Sequence, residues 1–424
     1  MRLTPPRSHR WRTVALAAAC LTSLLQAQTP VTLAVAGRGN DAVTLAARGA
    51  FVAVTWGASL NGTMDVYSAI SRDGGATFTV PVRVNDVAGD ARVGGEQPPH
   101  VALVSKAKGE PDIVVVWTSK GATGARLMSA RSTDAGATFG KASVVRGSDA
   151  AGSRGWESIA VGRTGSVFVM WLDHRNLAMP THQMSATASG PAMPKADPVE
   201  QAGKSQLYFA SLDGSVAPKA ITSSVCYCCK TALVATADGS VYGVWRHVYP
   251  GDLRDMALTV SRNGGRTFAA PVRVSEDHWE FDGCPDNGPS LAVDAARRVH
   301  VAWPTPADAK NPNMMALFYA MSRDGKAFAP RVRIPTEGPA GHVQIASDAN
   351  GALLLAWEEM ANGGRTVKLA RGTVDTAGSV AFRMVGTPIV GKYPSIALTP
   401  AGAVVAYTQP RGGSNVIVVS RIGR

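Results

Sequence analysis

Charged residues are scarce in this chain of 424 residues, and aromatic residues are scarcer. Asp, Glu, Lys and Arg make up 17% of the sequence and Phe, Trp and Tyr 6%, whereas 45% is hydrophobic. Disordered chains are rich in charge and poor in apolar residues, so this composition excludes a disordered protein, and it equally excludes a coiled coil. The apolar content is sufficient for a large folded core.

Several common motifs are also missing. No Walker loop or glycine-rich dinucleotide fingerprint joins a strand to a helix, and no Gly-x-Ser-x-Gly elbow occurs. The chain has 43 Lys and Arg against 31 Asp and Glu, a formal charge of +12, but the excess forms no basic block beyond the N-terminus. We therefore expect no nucleic-acid partner.

The N-terminal segment has the pattern of a secretory signal peptide. Four arginines without a neighbouring acid precede an apolar stretch from Thr13 to Leu25, and Ala27 ends a small-residue cleavage site. The stretch is too short to span a bilayer. We expect residues 1–27 to be a signal peptide and the mature chain to be periplasmic or extracellular, without a transmembrane segment. A lipid anchor at Cys20 is not expected, because Cys20 lies within the apolar stretch.

Glycine and proline are abundant, with 44 and 26 residues, and they separate the copies of a repeated unit. A short β-branched run that ends in a large aromatic residue recurs at intervals of 50 to 74 residues. Each run follows a hairpin pattern and precedes further short strands, and four strands per unit are typical of propeller blades. The seven aromatic residues are Trp56, Trp117, Trp171, Trp245, Trp303, Trp357 and Tyr407.

The repeats predict an all-β fold, a single β-propeller over residues 28–424 with four-stranded blades. The count favours seven blades, and six is the alternative if one weak unit is miscounted. The last unit has three strands, so we expect the N-terminal run 31–36 to supply its fourth strand and close the ring. An insert at residues 176–204 interrupts blade three.

A second motif recurs between third and fourth strands. It reads Ser71-Arg-Asp-Gly-Gly-Ala-Thr-Phe, with copies at Ser132 and Ser261 and a shortened copy at Ser322. Its Asp or Asn accepts backbone N–H groups within the turn, and its Gly allows a positive φ. This is the Asp-box, and through its copies the chain resembles the sialidase-like (BNR-repeat) propeller superfamily. The resemblance implies the propeller fold for nearly the whole mature chain, but the boxes are structural turns and imply no activity.

Polar and aromatic residues concentrate in the loops that enter first strands and leave second strands, which share one face of a propeller. Such residues also fill any channel mouth, but the abundance of Trp, His and Cys favours a ligand-binding face. We expect a small ligand, a glycan or a metal ion there, and a protein partner is a further possibility. The candidate ligand-binding residues are Trp156, His174, Arg175, Arg246, His247, Arg254, Asp255 and Trp279.

The four cysteines of the mature chain lie within 59 residues on blades four and five. Thiolates select Cu(I) or zinc, and the Met and His residues of the insert (Met179, His182, Met184 and Met193) favour copper. A disulfide from Cys284 to one of the other cysteines is an alternative, as is a redox or catalytic thiol. The predicted metal site, with Cu(I) favoured, consists of Cys226, Cys228, Cys229, Cys284, His247 and His278.

The resemblance implies an alternative function, an exo-sialidase-like glycoside hydrolase or a sugar-binding propeller. Sialidases use a Tyr nucleophile activated by Glu, and arginines bind the substrate carboxylate. Tyr393, at the start of the last first strand, matches the nucleophile. Arg246 and Arg254 match carboxylate ligands, and Glu157 or Glu358 matches the activating acid.

The sialidase pattern is incomplete in this chain. The family's Arg-Ile-Pro motif belongs before the first Asp-box, whereas the single copy here starts at Arg333 in blade five. The missing arginine removes a bidentate contact with the substrate carboxylate. We therefore favour a non-hydrolytic binding protein over a hydrolase.

Overall fold

The computed structural model describes residue 1 and most of the chain from residue 29 to residue 423. The residues not described are 2–28, 122–123, 178–196, 282–284, 309–310, 312–313, 349, 362, 376–377 and 424. The predicted signal peptide and most of the insert therefore lie outside the described residues, as do Cys284 and the Met and His residues of the insert.

The described residues form seven antiparallel sheets, one for each predicted blade. The N-terminal strand β1 (Val31–Leu33) belongs to the last blade. Blade one consists of β2 (Gly39–Arg48), β3 (Phe51–Leu60), β4 (Thr63–Ser71) and β5 (Val82–Arg83). Blade two consists of β6 (His100–Val104), β7 (Asp112–Gly121), β8 (Gly124–Ser132) and β9 (Ser143–Val144).

The middle blades repeat the same strand order, and blade three also carries the helix. Blade three consists of β10 (Arg154–Val161), β11 (Val167–Asp173), helix α1 (Pro198–Lys204), β12 (Gln206–Ser211) and β13 (Lys219–Ser223). Blade four consists of β14 (Ala232–Ala235), β15 (Val241–Arg246), β16 (Met256–Ser261) and β17 (Val272–Arg273). Blade five consists of β18 (Ser290–Val293), β19 (Val299–Pro306), β20 (Met315–Ser322) and β21 (Val332–Arg333).

The last two blades contain the longest third strands. Blade six consists of β22 (Ala340–Ser347), β23 (Leu353–Ala361), β24 (Gly364–Val374), β25 (Val380–Met384) and β26 (Ile389–Val390). Blade seven consists of β27 (Lys392–Thr399), β28 (Gly402–Arg411), β29 (Ser414–Gly423) and β1.

The N-terminal strand closes the ring as predicted. β1 pairs antiparallel with β29, with Val31 opposite Val419 and Leu33 opposite Ile417. This pairing completes the fourth strand of blade seven and covers an edge that would otherwise be open. The prediction of seven blades is thereby confirmed over the alternative of six.

The seven repeated aromatic residues all lie on second strands, and each is at most 2% exposed. In several blades the indole N–H donates to a side chain two residues later, which lies on the same side of the strand. Trp171 donates to Asp173 Oδ2 at 3.0 Å, and Trp357 donates to Glu359 Oε2 at 2.9 Å. The aromatic residues are therefore the repeated core of the fold.

The four repeated turns share one hydrogen-bond pattern. In the first, Asp73 Oδ1 accepts from the backbone N–H of Thr77 at 2.9 Å, and Ser71 Oγ accepts from Gly75 N at 2.8 Å. The copies beginning at Ser132, Ser261 and Ser322 repeat the bond from glycine to serine at 2.8 to 2.9 Å. These residues stabilise turns, as the local sequence predicts.

The described end of the insert forms helix α1. Asp197 caps it, because its carboxylate accepts from Val199 N at 2.8 Å. This end of the insert is helical because of its N-terminal cap and Pro198 at the first turn. Within the described ranges, no helix is long and apolar enough to cross a membrane.

Candidate functional site

The seven first strands line a channel along the propeller axis. Its wall encloses a cavity of about 240 Å³, to which β2, β6, β10, β14, β18, β22 and β27 or the residues next to them contribute. A second cavity of about 330 Å³ opens beside it between blades five, six and seven. The two cavities share His342 and Tyr393, so these two side chains mark the mouth of the channel.

Four first strands carry an irregularity at the mouth. The strand register shifts in β2, β10, β22 and β27, and in each the residue at the shift has a positive φ. These residues are Ala42, Trp156, His342 and Tyr393, with φ between 51° and 59°. A bulge redirects a side chain, and non-glycine residues with positive φ concentrate at functional sites. The fold therefore holds three large side chains in strained positions around the channel mouth.

A group of paired charged side chains lies at the channel mouth. His342 Nε2 is 2.5 Å from Glu96 Oε1, and His342 Nδ1 is 2.8 Å from Glu358 Oε1. Arg365 pairs with the same oxygen of Glu358. Burial alone would lower the pKa of His342, but the carboxylates of Glu96 and Glu358 outweigh it and raise this pKa to about 9. The imidazole is therefore a cation at neutral pH.

Tyr393 completes this group, and we call Glu96, His342, Glu358 and Tyr393 the axial cluster. The backbone N–H of Tyr393 donates to Glu358 Oε2 at 3.0 Å, and its ring lies edge-on to the imidazole of His342 at 4.6 Å. Burial, with the nearby Glu358 carboxylate, raises the pKa of Tyr393 to about 12. The phenol is therefore a neutral hydrogen-bonding group at the mouth.

The loop before β18 brings a further carboxyl group to the mouth. Asp286 lines the second cavity together with Glu96 and Tyr393. Partial desolvation there, with the Glu96 carboxylate, raises the pKa of Asp286 to about 6. The next residue, Asn287, holds this loop in place, because its Oδ1 accepts from His342 N at 2.9 Å. A carboxyl group with this pKa can carry or release a proton near neutral pH.

Among the four residues predicted to act in hydrolysis, Tyr393 is the one that lies in the axial cluster. Glu157 is fully buried in β10, where Thr118 Oγ1 donates to its Oε2 at 3.0 Å. Burial raises the pKa of Glu157 to about 7. No described contact joins Glu157 to Tyr393, whereas Glu358 bonds the Tyr393 backbone.

Arg246, predicted as a carboxylate ligand, is 1% exposed. Its guanidinium donates to the carbonyl oxygens of Arg254, Asn287 and Pro304 at 2.7 to 2.9 Å and stacks 4.8 Å from the ring of Trp279. The structure thus places Arg246 and Trp279 inside the protein, where they pack against each other. Neither side chain faces the channel mouth.

Arg254, the second predicted carboxylate ligand, is also buried. Its Nη1 donates to Cys226 Sγ at 3.4 Å, and its Nη2 pairs with Asp252 Oδ1 at 2.8 Å. Both guanidinium groups are enclosed by protein atoms, and the contact predicted between these arginines and a substrate carboxylate stays a prediction.

The ligand residues predicted in blade three differ in their location, at the channel mouth or within the blade. Trp156 lines a cavity at the mouth, and its ring packs on His174 at 5.4 Å. Arg175 instead pairs with the buried Asp173 at 2.7 Å and lies 4.2 Å over the ring of Tyr208. Trp156 belongs to the mouth, whereas Arg175 helps to hold blade three together.

The ligand residues predicted in blade four have structural contacts. His247 Nδ1 accepts from the indole of Trp245 at 3.4 Å, and Asp255 pairs with Arg273. Burial, with the Arg273 charge, lowers the pKa of His247 to about 4, so this imidazole is neutral. The ligand residues predicted in blade four thus have partners within the protein, and their role in binding a ligand stays a prediction.

The predicted cysteine group is present and buried. The sulfurs of Cys226, Cys228 and Cys229 lie within 4.8 Å of one another, and Cys226 is 3.6 Å from Cys229. Cys226 and Cys229 are free thiols, whereas Cys228 is not. The hydrogen bond with Cys229, opposed by burial and aided by Arg254, lowers the pKa of Cys226 to about 6. Burial raises the pKa of Cys229 well above its usual value, and the contact with Cys226 raises it further.

The predicted histidine ligands do not join this group. In the portion of the chain that is described, the donor atoms that cluster within 4.8 Å belong to the three cysteines alone. His278 is 67% exposed and lies 3.7 Å from Glu276. Cys284 lies outside the described residues, so the metal contact or disulfide predicted for it stays a prediction.

Sequence reasoning missed Glu96, Asp286 and Arg365, and it gave His342 no role. Glu96 and Asp286 lie in loops that enter first strands, His342 lies near the start of β22, and Arg365 lies in β24 next to the loop that leaves a second strand. All four are therefore on the face that the sorting by loop singled out. Their contacts with one another depend on which blades meet across the axis, which local patterns do not show.

No protein-family profile and no curated protein sequence matches this chain. Solved structures do resemble it. The Penicillium chrysogenum alpha-L-arabinanase complexed with arabinobiose has a TM-score of 0.50 at 12% identity, with 93% of this chain and 98% of that chain covered. The GH93 alpha-L-arabinofuranosidase of Fusarium graminearum has a TM-score of 0.51 at 12% identity, with 94% and 97% covered.

A PL25 ulvan lyase, a polysaccharide lyase, has a TM-score of 0.55 at 10% identity, with 91% of this chain and 94% of that chain covered. At such identities the similarity establishes the propeller fold and leaves the activity open.

Proposed function

We propose that this protein binds an oligosaccharide across the mouth of its axial channel. The observation that carries the proposal is the axial cluster, in which Tyr393 stands beside the fixed charges of Glu96, His342 and Glu358 where two cavities meet. Ligand sites combine an aromatic or apolar surface with a few fixed polar groups that set orientation. A sugar offers both an apolar ring face and many hydroxyls, so it suits such a site.

The similar structures support a glycan rather than another ligand. Two are named as an arabinanase and an arabinofuranosidase with arabinobiose, and the ulvan lyase was also solved with -[GlcA(1-4)Rha3S]-. Fold similarity does not transfer activity, so these names define probes rather than a substrate. The four Asp-box turns support membership of the sialidase-like superfamily, and the N-terminal pattern supports export. Both belong to this proposal.

The same geometry disfavours sialic acid as the preferred sugar. Arg246 and Arg254 are buried, whereas Arg365, with 47% of its side chain exposed, pairs with Glu358, and Arg92 lines a cavity at the mouth. Two arginines, one of them already paired with Glu358, do not provide the arginine group of a sialidase. Tyr393 is retained in the proposal as a contact to the sugar.

Binding to defined oligosaccharides tests the proposal. Purified full chain is titrated calorimetrically with arabino-oligosaccharides, a sulfated uronate oligosaccharide and sialyllactose. We expect Tyr393→Ala and Arg365→Gln to weaken the binding of the best ligand at least ten-fold. Arg371→Gln is the matched control, because Arg371 is on the same strand, β24, about 20 Å away at the opposite rim.

Two outcomes would contradict glycan binding at the mouth. One is equal affinity in the wild type and both mouth variants. The other is the absence of binding to every sugar on a broad glycan array by a protein that is folded by circular dichroism.

A second candidate function, cleavage of a glycosidic bond, is favoured by Asp286. A glycosidase needs a carboxylic acid that still holds its proton at working pH, and a pKa of about 6 meets this requirement. Asp286, Tyr393 and Glu96 line the second cavity together, so a glycosidic bond bound in that cavity lies next to the Asp286 carboxyl group. In this role Asp286 donates the proton to the leaving-group oxygen.

Release of reducing ends from the bound oligosaccharide tests cleavage. We expect the rate to fall as the pH rises above about 6, because Asp286 then loses its proton, and Asp286→Asn to abolish it. Asp86→Asn is the control, since Asp86 is an exposed aspartate outside the mouth. No product from a ligand that binds tightly would restrict the function to binding.

A further inference from the structure

The buried sulfur pair on blade four lies outside the axial cluster and is not used by the proposed glycan site. Cys226 and Cys229 are both 1% exposed, are free thiols, and lie with their sulfurs 3.6 Å apart. They stand three residues apart in the sequence, at the entrance to β14. Two soft donors are thus held together inside the protein.

A buried positive charge faces this pair. Arg246 is 1% exposed, and its partners are three backbone carbonyls and the ring of Trp279. Throughout the described residues, no carboxylate oxygen lies within 4.0 Å of its guanidinium, and its Nε has no hydrogen-bond partner. Burial raises the pKa of Asp255 and the charge of Arg246 opposes this rise, but Asp255 already pairs with Arg273. A buried cation is costly without a compensating anion, so an anionic group is expected at the sulfurs.

The possible states of the sulfur pair differ in whether they supply the negative charge expected beside Arg246. A disulfide or two neutral thiols carry no charge, and a divalent ion on two thiolates is also neutral. One negative charge, which balances Arg246, results either from a single thiolate on Cys226 that accepts from the Cys229 thiol or from a monovalent cation on two thiolates. Cys226 also accepts from Arg254 at 3.4 Å, which stabilises negative charge on this sulfur.

The number and type of donor atoms also favour Cu(I) over zinc. Zinc needs four ligands in a tetrahedron, whereas no His, Asp or Glu of the described chain joins the sulfurs within 4.8 Å. Soft thiolates select Cu(I). Metal–sulfur bonds of about 2.3 Å span up to about 4.6 Å between two sulfurs, and the 3.6 Å separation of Cys226 and Cys229 lies within this reach.

We propose that Cys226 and Cys229 form a buried two-sulfur site for Cu(I). Any thiol that enters as S–H releases its proton to solvent, and no electron is transferred because copper enters in the monovalent state. Arg246 and Arg254 are positioning residues that balance the charge of the complex. The backbone N–H of Asn287 bonds the Cys229 sulfur, and Asn287 also holds His342, so the metal site adjoins the channel mouth.

Competition with a chromophoric chelator tests the site. Full-length protein, kept under anaerobic conditions without a thiol reductant so that Cys228 retains its bond, is titrated into the Cu(I) complex of bicinchoninate. We expect it to withdraw one equivalent of Cu(I), and copper X-ray absorption to show two sulfur neighbours. Cys226→Ser and Cys229→Ser should each lower the affinity at least 100-fold, while Thr236→Ser, on the opposite side of blade four, should leave it unchanged. Zn²⁺ should not displace the bound copper.

A measurement on unaltered protein covers the case in which a serine variant does not fold. Bound Cu(I) should protect Cys226 and Cys229 from alkylation, as read by peptide mass spectrometry. Failure of the wild type to withdraw copper, a copper complex that leaves both thiols reactive, or tighter binding of zinc than of Cu(I) would each overturn the proposal. None of these readouts involves a sugar, so the result is independent of the proposed glycan site.

Discussion

The ring of Tyr393 lies directly on the backbone of Gly95, so closely that a Cβ at position 95 would stand 2.2 Å from Tyr393 Cζ. This approach packs the loop before β6 against the start of β27, two segments almost 300 residues apart in the sequence. It also brings Glu96, the residue after Gly95, to His342. The absence of a side chain at position 95 is therefore a condition for assembling the axial cluster.

The first prediction concerns this contact. We expect Gly95→Ala to displace the Tyr393 ring and to weaken glycan binding at least ten-fold. Gly94→Ala should have no such effect, because a Cβ at position 94 meets no atom within 4 Å. Calorimetric titration of both variants provides the measurement, and equal affinities for the two would contradict the role given to this contact.

The second prediction concerns the pH dependence of stability. Because the pKa of His342 is raised from 6.5 to about 9 by folding, its protonation stabilises the fold. This stabilisation is fully present below pH 6.5 and is lost as the pH rises through 9. A pKa difference of this size corresponds to about 3 kcal/mol.

The measurement is the free energy of unfolding by urea at pH 6, 8 and 10, in the wild type and in His342→Gln. The difference between the two proteins should be largest at pH 6 and should shrink by pH 10. A difference that is constant over this range would show that Glu96 and Glu358 do not hold a charged imidazole.

The third prediction separates two adjacent acids of β23. Glu359 is buried, and it accepts from the backbone N–H of Glu337 and Gly338 at 2.8 and 2.9 Å and pairs with Lys368 at 3.0 Å. Breaking a buried ion pair typically costs 3–5 kcal/mol, so Glu359→Gln should lower stability by about this amount. Glycan binding by the folded variant should be unchanged.

Glu358→Gln should differ in its effect on binding, because Glu358 belongs to the axial cluster. We expect binding to weaken at least ten-fold, together with a loss of stability, because Glu358 is also buried beside the charged His342. Urea titration combined with calorimetry on both variants makes the comparison, and an unchanged affinity in Glu358→Gln would exclude this carboxylate from the site.

The fourth prediction concerns blade three. Asp173 is fully buried between Arg154, at 3.1 Å, and Arg175, at 2.7 Å. Asp173→Asn should destabilise the fold by about 3–5 kcal/mol, because it leaves the buried Arg154 without its counter-charge. Glu110→Gln, which breaks an exposed pair with Arg72, should cost at most about 1 kcal/mol. Similar losses in the two variants would contradict the assigned burial of Asp173.

The architecture was predictable because its determinants are local. Each second strand repeats a short apolar run ending in an aromatic residue such as Trp171, and each Asp-box such as Ser71 to Phe78 forms its turn from its own side chains. The unpaired N-terminal run likewise predicted the closing strand, since the last unit lacked one. Because the same local patterns recur in successive units, they predicted the blades one after another along the chain.

The arrangement of the site was less predictable. Arg246 and Arg254 have the sequence pattern of ligand-binding arginines, yet they are enclosed by carbonyl oxygens and a cysteine sulfur. Asp286 and Glu96 have no distinguishing local pattern. Burial and the Glu96 carboxylate raise the pKa of Asp286, and Glu96 pairs with His342.

The sequence by itself determined the blade count, the closure of the ring, the turns and the face on which histidine, cysteine and other polar residues concentrate. These follow from strand period and turn chemistry, which act over a few residues. The tertiary structure decided which residues of that face meet at the axis, because bulges at Trp156, His342 and Tyr393 redirect their side chains and seven distant first strands converge there. The tertiary structure also determined which charged residues are buried and which are exposed, because burial depends on the packing of neighbouring blades.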